Sequence, residues 1–317
     1  MTQFQARTPR SRWLWVATGC LVALIFAALG TAPHAVATGH RQIGVAQRPS
    51  PVAPTDGNRA HGAVATTPAP PPQLSAITLA QQMQAAIQLA SPGTTVGIDV
   101  VDTSTGGTLA SLNSDQQFYT ASVVKLLIAL DELRTTGWQA DSDTAEDLTE
   151  MLSTSDDEVA DVLWDEGGAE AIVSRMADLI GLTDTVPPED PAQWGETLMS
   201  PRDVVKVFEF LGTAVPEPAR TLVMNALRGT TRISADGTDQ YFGIPDGLSG
   251  LDWAVKQGWM ALDDSITLDS TGMVGAGPGL PLHYAVVVLT AQPADTSWAA
   301  GGSALTAGIS LLHTVIG

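Results

Sequence analysis

Hydrophobic and polar positions follow two different periods along the chain, and the changes of period mark the predicted elements. Apolar side chains recur at helical spacing over residues 77–89, which predicts an amphipathic helix. Helical patterns also dominate residues 121–227, and an apolar helix closes the chain over residues 299–316. Short apolar runs bounded by turn residues predict strands. These runs cover residues 94–102, 108–113, 253–259, 266–272 and 283–291.

The order of these elements predicts a two-lobed α/β protein of the α+β kind. A helix, two strands, a helical insert, three strands and a final helix can form a five-stranded antiparallel sheet flanked by helices, plus an all-helical lobe. We expect the functional side chains to lie in the cleft between the two lobes.

The first 37 residues have the three-part pattern of a secretory signal peptide. Three arginines precede an apolar run over residues 13–30, and an A-x-A cleavage site ends at Ala37. The run is about 18 residues long, the lower limit for spanning a bilayer, so an uncleaved anchor formed by residues 13–30 stays open. The apolar run continues past Cys20, the single cysteine, which argues against lipidation there. Both alternatives predict an exported protein, secreted or held at the cell envelope.

Residues 38–75 are rich in Pro, Ala, Thr and Gly, which predicts an extended, disordered linker. Residues 76–317 then form one domain with nine basic and 33 acidic residues, a net charge of about −24. Such a surface disfavours nucleic acid and anionic membranes as partners. We expect a monomer, although the sequence leaves the oligomeric state open.

Ser122 and Lys125 are the residues that most directly suggest chemistry. They stand three apart at the start of an apolar helical segment, so both side chains project from one face. A serine hydroxyl becomes nucleophilic when a base takes its proton, and burial can make a lysine basic enough to serve. A surface lysine on a helix is the alternative, because this spacing often arises by chance.

Two further motifs follow in order along the chain. The full set is Ser122-x-x-Lys125, Ser155-Asp156-Asp157 and Lys256-Gln257-Gly258. It resembles the S-x-x-K, S-D-N and K-T-G motifs of the class A β-lactamases and the penicillin-recognising serine hydrolases. Taken alone, the second motif is typical of a helix N-cap and the third of a strand followed by a turn. The resemblance covers about residues 76–317 and implies a β-lactamase-like fold.

The resemblance also implies a role for each residue. Ser122 attacks a carbonyl carbon to form an acyl-enzyme, and Lys125 takes its proton directly or through water. Ser155 passes a proton to the leaving nitrogen, while Lys256 attracts the substrate carboxylate and polarises the Ser155 hydroxyl. The backbone N–H groups of Ser122 and Trp259 stabilise the oxyanion. The implied substrate is a small molecule or a peptidoglycan peptide.

Asp157, Gln257 and Gly258 are predicted substrate contacts, and two of them depart from the family pattern. Asp157 stands where the family has Asn, and a carboxylate near Lys125 favours its charged form and opposes its use as a base. Gln257 stands where the family has Thr or Ser, which weakens a hydroxyl contact to the substrate carboxylate.

Residues 183–200 occupy the place of the family's omega loop, but they are few and lack the E-x-x-L-N pattern. That pattern carries the glutamate that activates the deacylating water. Glu189 and Glu196 are the alternatives for this base, although carboxylates on loops are usually solvated. The sequence therefore predicts slow deacylation.

The remaining motifs add no other chemistry. The third glycine of a dinucleotide-binding motif is absent around residues 275–280, which predicts an ordinary loop there. One cysteine, and two histidines outside the N-terminal tail, predict neither a metal centre nor a cofactor. Trp164 and Trp194 are more often core or loop anchors than substrate platforms.

Two hypotheses stay open: an enzyme that forms a Ser122 acyl intermediate with a β-lactam or D-alanyl peptide, and a non-turnover penicillin- or peptidoglycan-binding protein of the cell envelope.

Overall fold

The structure is a computed structural model that describes residues 75–316. The predictions for residues 1–37, and for the linker up to residue 74, lie outside the described residues. Within residues 75–316, no helix is both long enough and apolar enough to cross a membrane.

The helices and strands follow the predicted order. The described helices are α1 Ala76–Ala90, α2 Lys125–Thr135, α3 Ser142–Ser153, α4 Asp157–Glu166, α5 Ala171–Ile180, α6 Pro201–Thr213, α7 Glu217–Arg228, α8 Ile244–Gly247 and α9 Trp298–Ile309. The described strands are β1 Thr95–Asp102, β2 Gly107–Leu112, β3 Phe118–Tyr119, β4 Leu198–Met199, β5 Trp253–Ala261, β6 Ser265–Gly275 and β7 Leu282–Pro293. Three short 3₁₀ helices are Ala121–Val124, Trp194–Glu196 and Ser310–Thr314.

The predicted five-stranded antiparallel sheet is confirmed, with the strand order β2-β1-β7-β6-β5. The first two strands and the last three therefore meet where β1 pairs with β7. The two-residue strands β3 and β4 form a separate small sheet that the pattern did not predict. Two residues are too few to show a period, so only tertiary pairing reveals them.

Helices α1 and α9 cover one face of the sheet. The buried residues of α1, Leu79, Ala80, Met83 and Ile87, lie on one side at helical spacing, as the amphipathic pattern predicts. Close packing of the two helices depends on Gly308, because a Cβ there would lie 2.6 Å from Ile87 Cγ1.

The helical lobe packs on the opposite face and contributes most of the larger hydrophobic cluster. Helix α2 runs through it, with eight of its 11 residues buried, as expected of the apolar helical segment that follows Ser122. Asp131 on α2 accepts hydrogen bonds from the Arg175 guanidinium on α5, at 2.5 and 3.0 Å. Because β5 is the edge strand nearest this lobe, the cleft lies beside β5 and the N-terminus of α2.

Candidate active site

Ser122 lies in the 3₁₀ turn Ala121–Val124, directly before α2. Its predecessor Ala121 has φ +43°, a left-handed conformation that costs a non-glycine residue about 1–3 kcal/mol and is common at functional sites. Ser122 is only 5% exposed, and it lines a cavity of about 450 Å³. Among the described residues its hydroxyl forms no hydrogen bond, so it is free to meet a ligand in the cavity.

Ser155 also has a left-handed backbone, with φ +58°. The N-cap of α4 is its neighbour Asp156, whose carboxylate accepts a 2.8 Å hydrogen bond from Val159 N. The N-cap interpretation is therefore correct for Asp156, while the Ser155 hydroxyl faces the two buried lysines. Lys256 Nζ lies 2.8 Å from Ser155 Oγ and Lys125 Nζ lies 3.4 Å from it.

Lys125 is fully buried, but its ammonium does not bond to Ser122 as the three-residue spacing suggested. Its Nζ donates to Ser155 O at 2.8 Å and to Asp157 Oδ1 at 2.5 Å. A carboxylate and a carbonyl are stronger acceptors for an ammonium than a neutral hydroxyl, which explains the difference. Burial lowers the pKa of Lys125, and the nearby charge of Asp157 opposes that shift. The structure thus brings Asp157 against Lys125, as the sequence predicted.

Lys256 comes to the site from β5 and is also fully buried. Besides Ser155 Oγ, its ammonium donates to Gln257 O at 3.0 Å. Burial, and then repulsion by Lys125, lower the pKa of Lys256 well below its usual value. The two lysines and Ser155 therefore form one hydrogen-bonded group in which proton positions are coupled.

The side chain of Gln257 does not reach the cleft, which corrects its prediction as a substrate contact. Successive side chains of a strand point to opposite faces, so Gln257 points away from the face that carries Lys256. Its amide is fully buried, with Nε2 donating to Phe242 O at 2.5 Å and Oε1 accepting from Thr271 N at 3.3 Å.

Gly258 has a packing role at this point. A Cβ on Gly258 would lie 2.5 Å from Thr120 O, in the segment that leads into the Ser122 turn. Only glycine therefore lets β5 approach the nucleophile this closely.

The loop over residues 183–200 closes one side of the cavity. Gly195 lies against Ala121, where a Cβ would be 3.5 Å from Ala121 Cα. The Trp194 ring lies over Lys125, with Nζ 4.9 Å from the ring centroid, and Trp194 Nε1 donates to Asp161 Oδ1 at 2.8 Å. Trp164 is a loop anchor, because its Nε1 donates to Pro191 O at 2.7 Å.

Neither predicted candidate for the deacylating base lines the cavity. Glu189 is exposed and Glu196 is partly buried, and neither is among the residues that line the cavity. The carboxylates that do line it are those of Asp157, Asp161 and Asp236.

Sequence analysis missed Asp161 and Asp236 as site residues. Asp161 follows Asp157 by four residues on one helix, so helical spacing could have placed it on the same face. Asp236 comes from the connection between α7 and α8, about 80 residues away in sequence, and no local pattern marks it. Within residues 75–316, no group of His, Cys, Asp and Glu is arranged to hold a metal ion.

Comparison with known proteins identifies the family. The chain matches the model described as "Beta-lactamase enzyme family" over residues 78–137 and 138–310. It is 35% identical over 223 residues to the Mycobacterium tuberculosis protein named "Putative lipoprotein LppW", covering 68% of this chain and 69% of that protein. A Mycobacterium bovis protein of the same name gives the same match. The chain therefore belongs to the beta-lactamase enzyme family.

Solved structures show the same fold. A beta-lactamase from Chitinophaga pinensis is 17% identical with a TM-score of 0.61, over 75% of this chain and 99% of that chain. A beta-lactamase from Sphaerobacter thermophilus is 20% identical with a TM-score of 0.59, over 75% and 97% of the two chains. A mutant of PBP-A in an acyl-enzyme complex with penicillin G is 19% identical with a TM-score of 0.58, over 74% and 95%. The predicted β-lactamase-like fold is confirmed.

Proposed function

We propose that this protein is an exported serine hydrolase that forms an acyl intermediate on Ser122 with β-lactams or D-alanyl peptides and releases it slowly. The observation that carries the proposal is the Ser155 hydroxyl. It lies within hydrogen-bond distance of two buried lysines, and the cavity that Ser122 lines is also lined by Asp157, the ion-pair partner of Lys125.

The proposed acylation uses this arrangement. Ser122 Oγ attacks the substrate carbonyl carbon and its proton passes to Lys125, directly or through a water molecule. The buried setting of Lys125 favours its neutral, proton-accepting form. Ser155 then gives its proton to the leaving nitrogen as the C–N bond breaks, and Lys256 restores a proton to Ser155 across 2.8 Å.

Two backbone N–H groups are proposed to stabilise the oxyanion, those of Ser122 and Trp259. Gln257 O accepts from Lys256 Nζ, so the Gln257 peptide groups face the open edge of β5. Backbone groups two residues apart in a strand face the same way, which directs the Trp259 N–H toward that edge as well. The Ser122 turn lies against this part of β5.

Slow deacylation is proposed because no loop carboxylate is placed to activate water. The part of the loop nearest Lys125 presents the Trp194 ring. A general base typically contributes about 10²–10⁴-fold to such a step, so its absence leaves a long-lived adduct.

The direct test is intact-mass spectrometry after addition of benzylpenicillin. We expect the mass to rise by one penicillin, with the added mass on the peptide that contains Ser122. Ser122→Ala should abolish the adduct, and equal labelling of this variant would overturn the proposal.

The lifetime of the adduct tests the deacylation step. We expect the adduct to accumulate and then decay slowly, with Glu189→Gln changing the decay little. Rapid turnover without accumulated adduct, slowed about a hundredfold by Glu189→Gln, would show that the loop carries a working base.

A non-turnover binding protein of the cell envelope is the second candidate. The ion pair between Lys125 and Asp157 favours it, because the Asp157 carboxylate opposes the fall in the Lys125 pKa that a base would need. An adduct that shows no decay, or reversible binding of penicillin without an adduct, would support this candidate.

Export is proposed from the N-terminal pattern, and the name of the mycobacterial relatives supports an envelope location. N-terminal analysis of the protein from its native host tests it. A chain that begins at residue 38 supports cleavage after Ala37, and an intact N-terminus in a membrane fraction supports the anchor. A lipid-modified N-terminal Cys20 would overturn the argument against lipidation, and an intact N-terminus in the cytosol would overturn export.

A further inference from the structure

The cavity beside Ser122 is acidic and aromatic on its surface. Its described lining includes three carboxylates and three tryptophans: Asp157, Asp161, Asp236, Trp194, Trp259 and Trp298. The two lysines of the site are fully buried, so no described lining residue presents a cation to the cavity.

One acidic wall is formed by α4. Asp157 and Asp161 are one helical turn apart and share a face. The charge of Asp157 is already compensated in part by Lys125. Asp161 instead accepts a hydrogen bond from the neutral indole N–H of Trp194. That bond fixes the carboxylate and leaves its charge available to a ligand.

A second acidic wall, around Asp236, has the same design. Asp236 Oδ2 accepts from the indole Nε1 of Trp259 at 3.0 Å, and Oδ1 accepts from Thr238 N at 2.9 Å. Burial of Asp236 favours its neutral form, but these hydrogen bonds and one from Ser234 outweigh burial and lower its pKa, so the group is ionised at neutral pH. Neither Asp161 nor Asp236 forms a salt bridge within the described residues.

We propose that this cleft selects acyl donors that carry a protonated amine, which Asp161 and Asp236 attract from the two walls. This inference rests on the proposed function and names its substrate class. The ammonium of the substrate then lies in the part of the cavity that Asp161 and Asp236 line. Trp298, 40% exposed at the start of α9, adds an aromatic face of the kind that attracts cations.

Three penicillins test the inference because they share one ring system and one phenylacetyl group. Ampicillin carries an ammonium on the side chain, benzylpenicillin carries no charge there, and carbenicillin carries a carboxylate. At about pH 6, where the amine is protonated, we expect Ser122 acylation rates in the order ampicillin, benzylpenicillin, carbenicillin. The rates of neighbouring penicillins in this order should differ about two- to fivefold, as expected for partly exposed ion pairs. These differences should become smaller with added salt.

Asp161→Asn gives the matched variant. An amide oxygen can still accept from Trp194 Nε1, so the loop contact is kept while the charge is lost. We expect the ratio of the acylation rate with ampicillin to that with benzylpenicillin to fall by half or more. Asp165→Asn, one turn further along α4 and outside the cavity, removes the same charge and should leave the order unchanged. An order that does not follow side-chain charge, or an equal response of both variants, would overturn the inference.

A second measurement keeps the inference separate from acylation. D-Phenylglycinamide, a cation, and mandelamide, its neutral hydroxyl analogue, can be titrated into the unreacted protein and followed by nuclear magnetic resonance. We expect tighter binding of the cation, with the difference reduced in Asp161→Asn. If no penicillin labels Ser122, the proposed function fails, whereas equal binding of the two amides overturns the inference by itself.

Discussion

The ammonium groups of Lys125 and Lys256 both approach the Ser155 hydroxyl, and both are buried. Two like charges in a buried site repel each other, so one positive charge is more favourable there than two. Of the two lysines, Lys125 is the one that forms a salt bridge with Asp157. The charge of Asp157 opposes the fall in the pKa of both lysines, most directly that of Lys125.

Asp157→Asn should make Lys125 a better base. The change removes the negative charge that opposes the fall in the Lys125 pKa, and a charge this close typically shifts a pKa by about 1–3 units. We expect the midpoint of the pH profile for Ser122 acylation by benzylpenicillin to move to lower pH. Asp165→Asn should leave the midpoint unchanged, and an upward shift in Asp157→Asn would show that Lys125 is not the base.

Gly258→Ala should impair the site more than the fold. The new Cβ would meet Thr120 O at 2.5 Å and displace the turn that holds Ser122. A displacement of about 1 Å can cost about 100-fold in rate, which is the loss we expect in acylation. Gly212→Ala on α6 meets no atom within 4 Å and should leave the rate unchanged. Normal acylation by Gly258→Ala would contradict this role.

At the scale of elements, the loop over residues 183–200 is held at several points. At its start the buried carboxylate of Asp203 on α6 accepts from Thr183 N, Asp184 N and Thr185 Oγ1, at 3.3, 2.7 and 2.9 Å. Near the middle Trp164 bonds to Pro191 O, and at the end β4 pairs with β3. These contacts fix Trp194 beside the site although the loop contains little regular structure.

Asp203→Ala should loosen the start of this loop. The substitution leaves two loop N–H groups and the Lys206 ammonium without their shared acceptor. We expect a loss of about 3 kcal/mol in the free energy of unfolding, measured in urea. Compared with the wild type, hydrogen exchange in this variant should speed up more at residues 183–185 than in α2.

Asp184→Ala, which removes a partly exposed carboxylate from the same segment, should change stability by less than about 0.5 kcal/mol. Unchanged exchange in Asp203→Ala would show that the loop is held by its other contacts.

For the whole molecule, buried acids make stability depend on pH. Burial raises the pKa of Asp99 on β1 to about 6, although the charge of Arg202 and a hydrogen bond from Ser111 oppose the shift. The folded state therefore binds this proton more tightly than the unfolded chain does. The contribution of this proton to the free energy of unfolding is fully present below about pH 4, and it is lost as pH rises through about 6.

Asp99→Asn should remove this loss. Between about pH 4 and pH 7 we expect the variant to gain about 2–3 kcal/mol in unfolding free energy relative to the wild type, because folding raises the Asp99 pKa from 3.8 to about 6. Urea titrations at the two pH values measure it, with the exposed Asp115→Asn as control. If the difference in unfolding free energy between Asp99→Asn and the wild type is the same at both pH values, Asp99 does not ionise in this range.

The sequence by itself determined the order of the elements and the positions of the three motifs. Strand and helix periods are local properties, so β1, β5, β6 and β7 begin and end within a few residues of their predicted bounds. The order of the three motifs indicates the family, and that resemblance predicts that Asp157 lies near Lys125.

Only the tertiary structure decided which groups meet. Buried hydrogen bonds with Phe242 O and Thr271 N hold the Gln257 amide away from the cleft. The competing acceptors around Lys125 direct its ammonium to Ser155 and Asp157. Asp236 joins Asp161 around one cavity although their sequence positions are far apart. Such contacts depend on how distant segments pack, and because no short-range pattern records that packing, the acidic character of the cleft could not be predicted from the sequence.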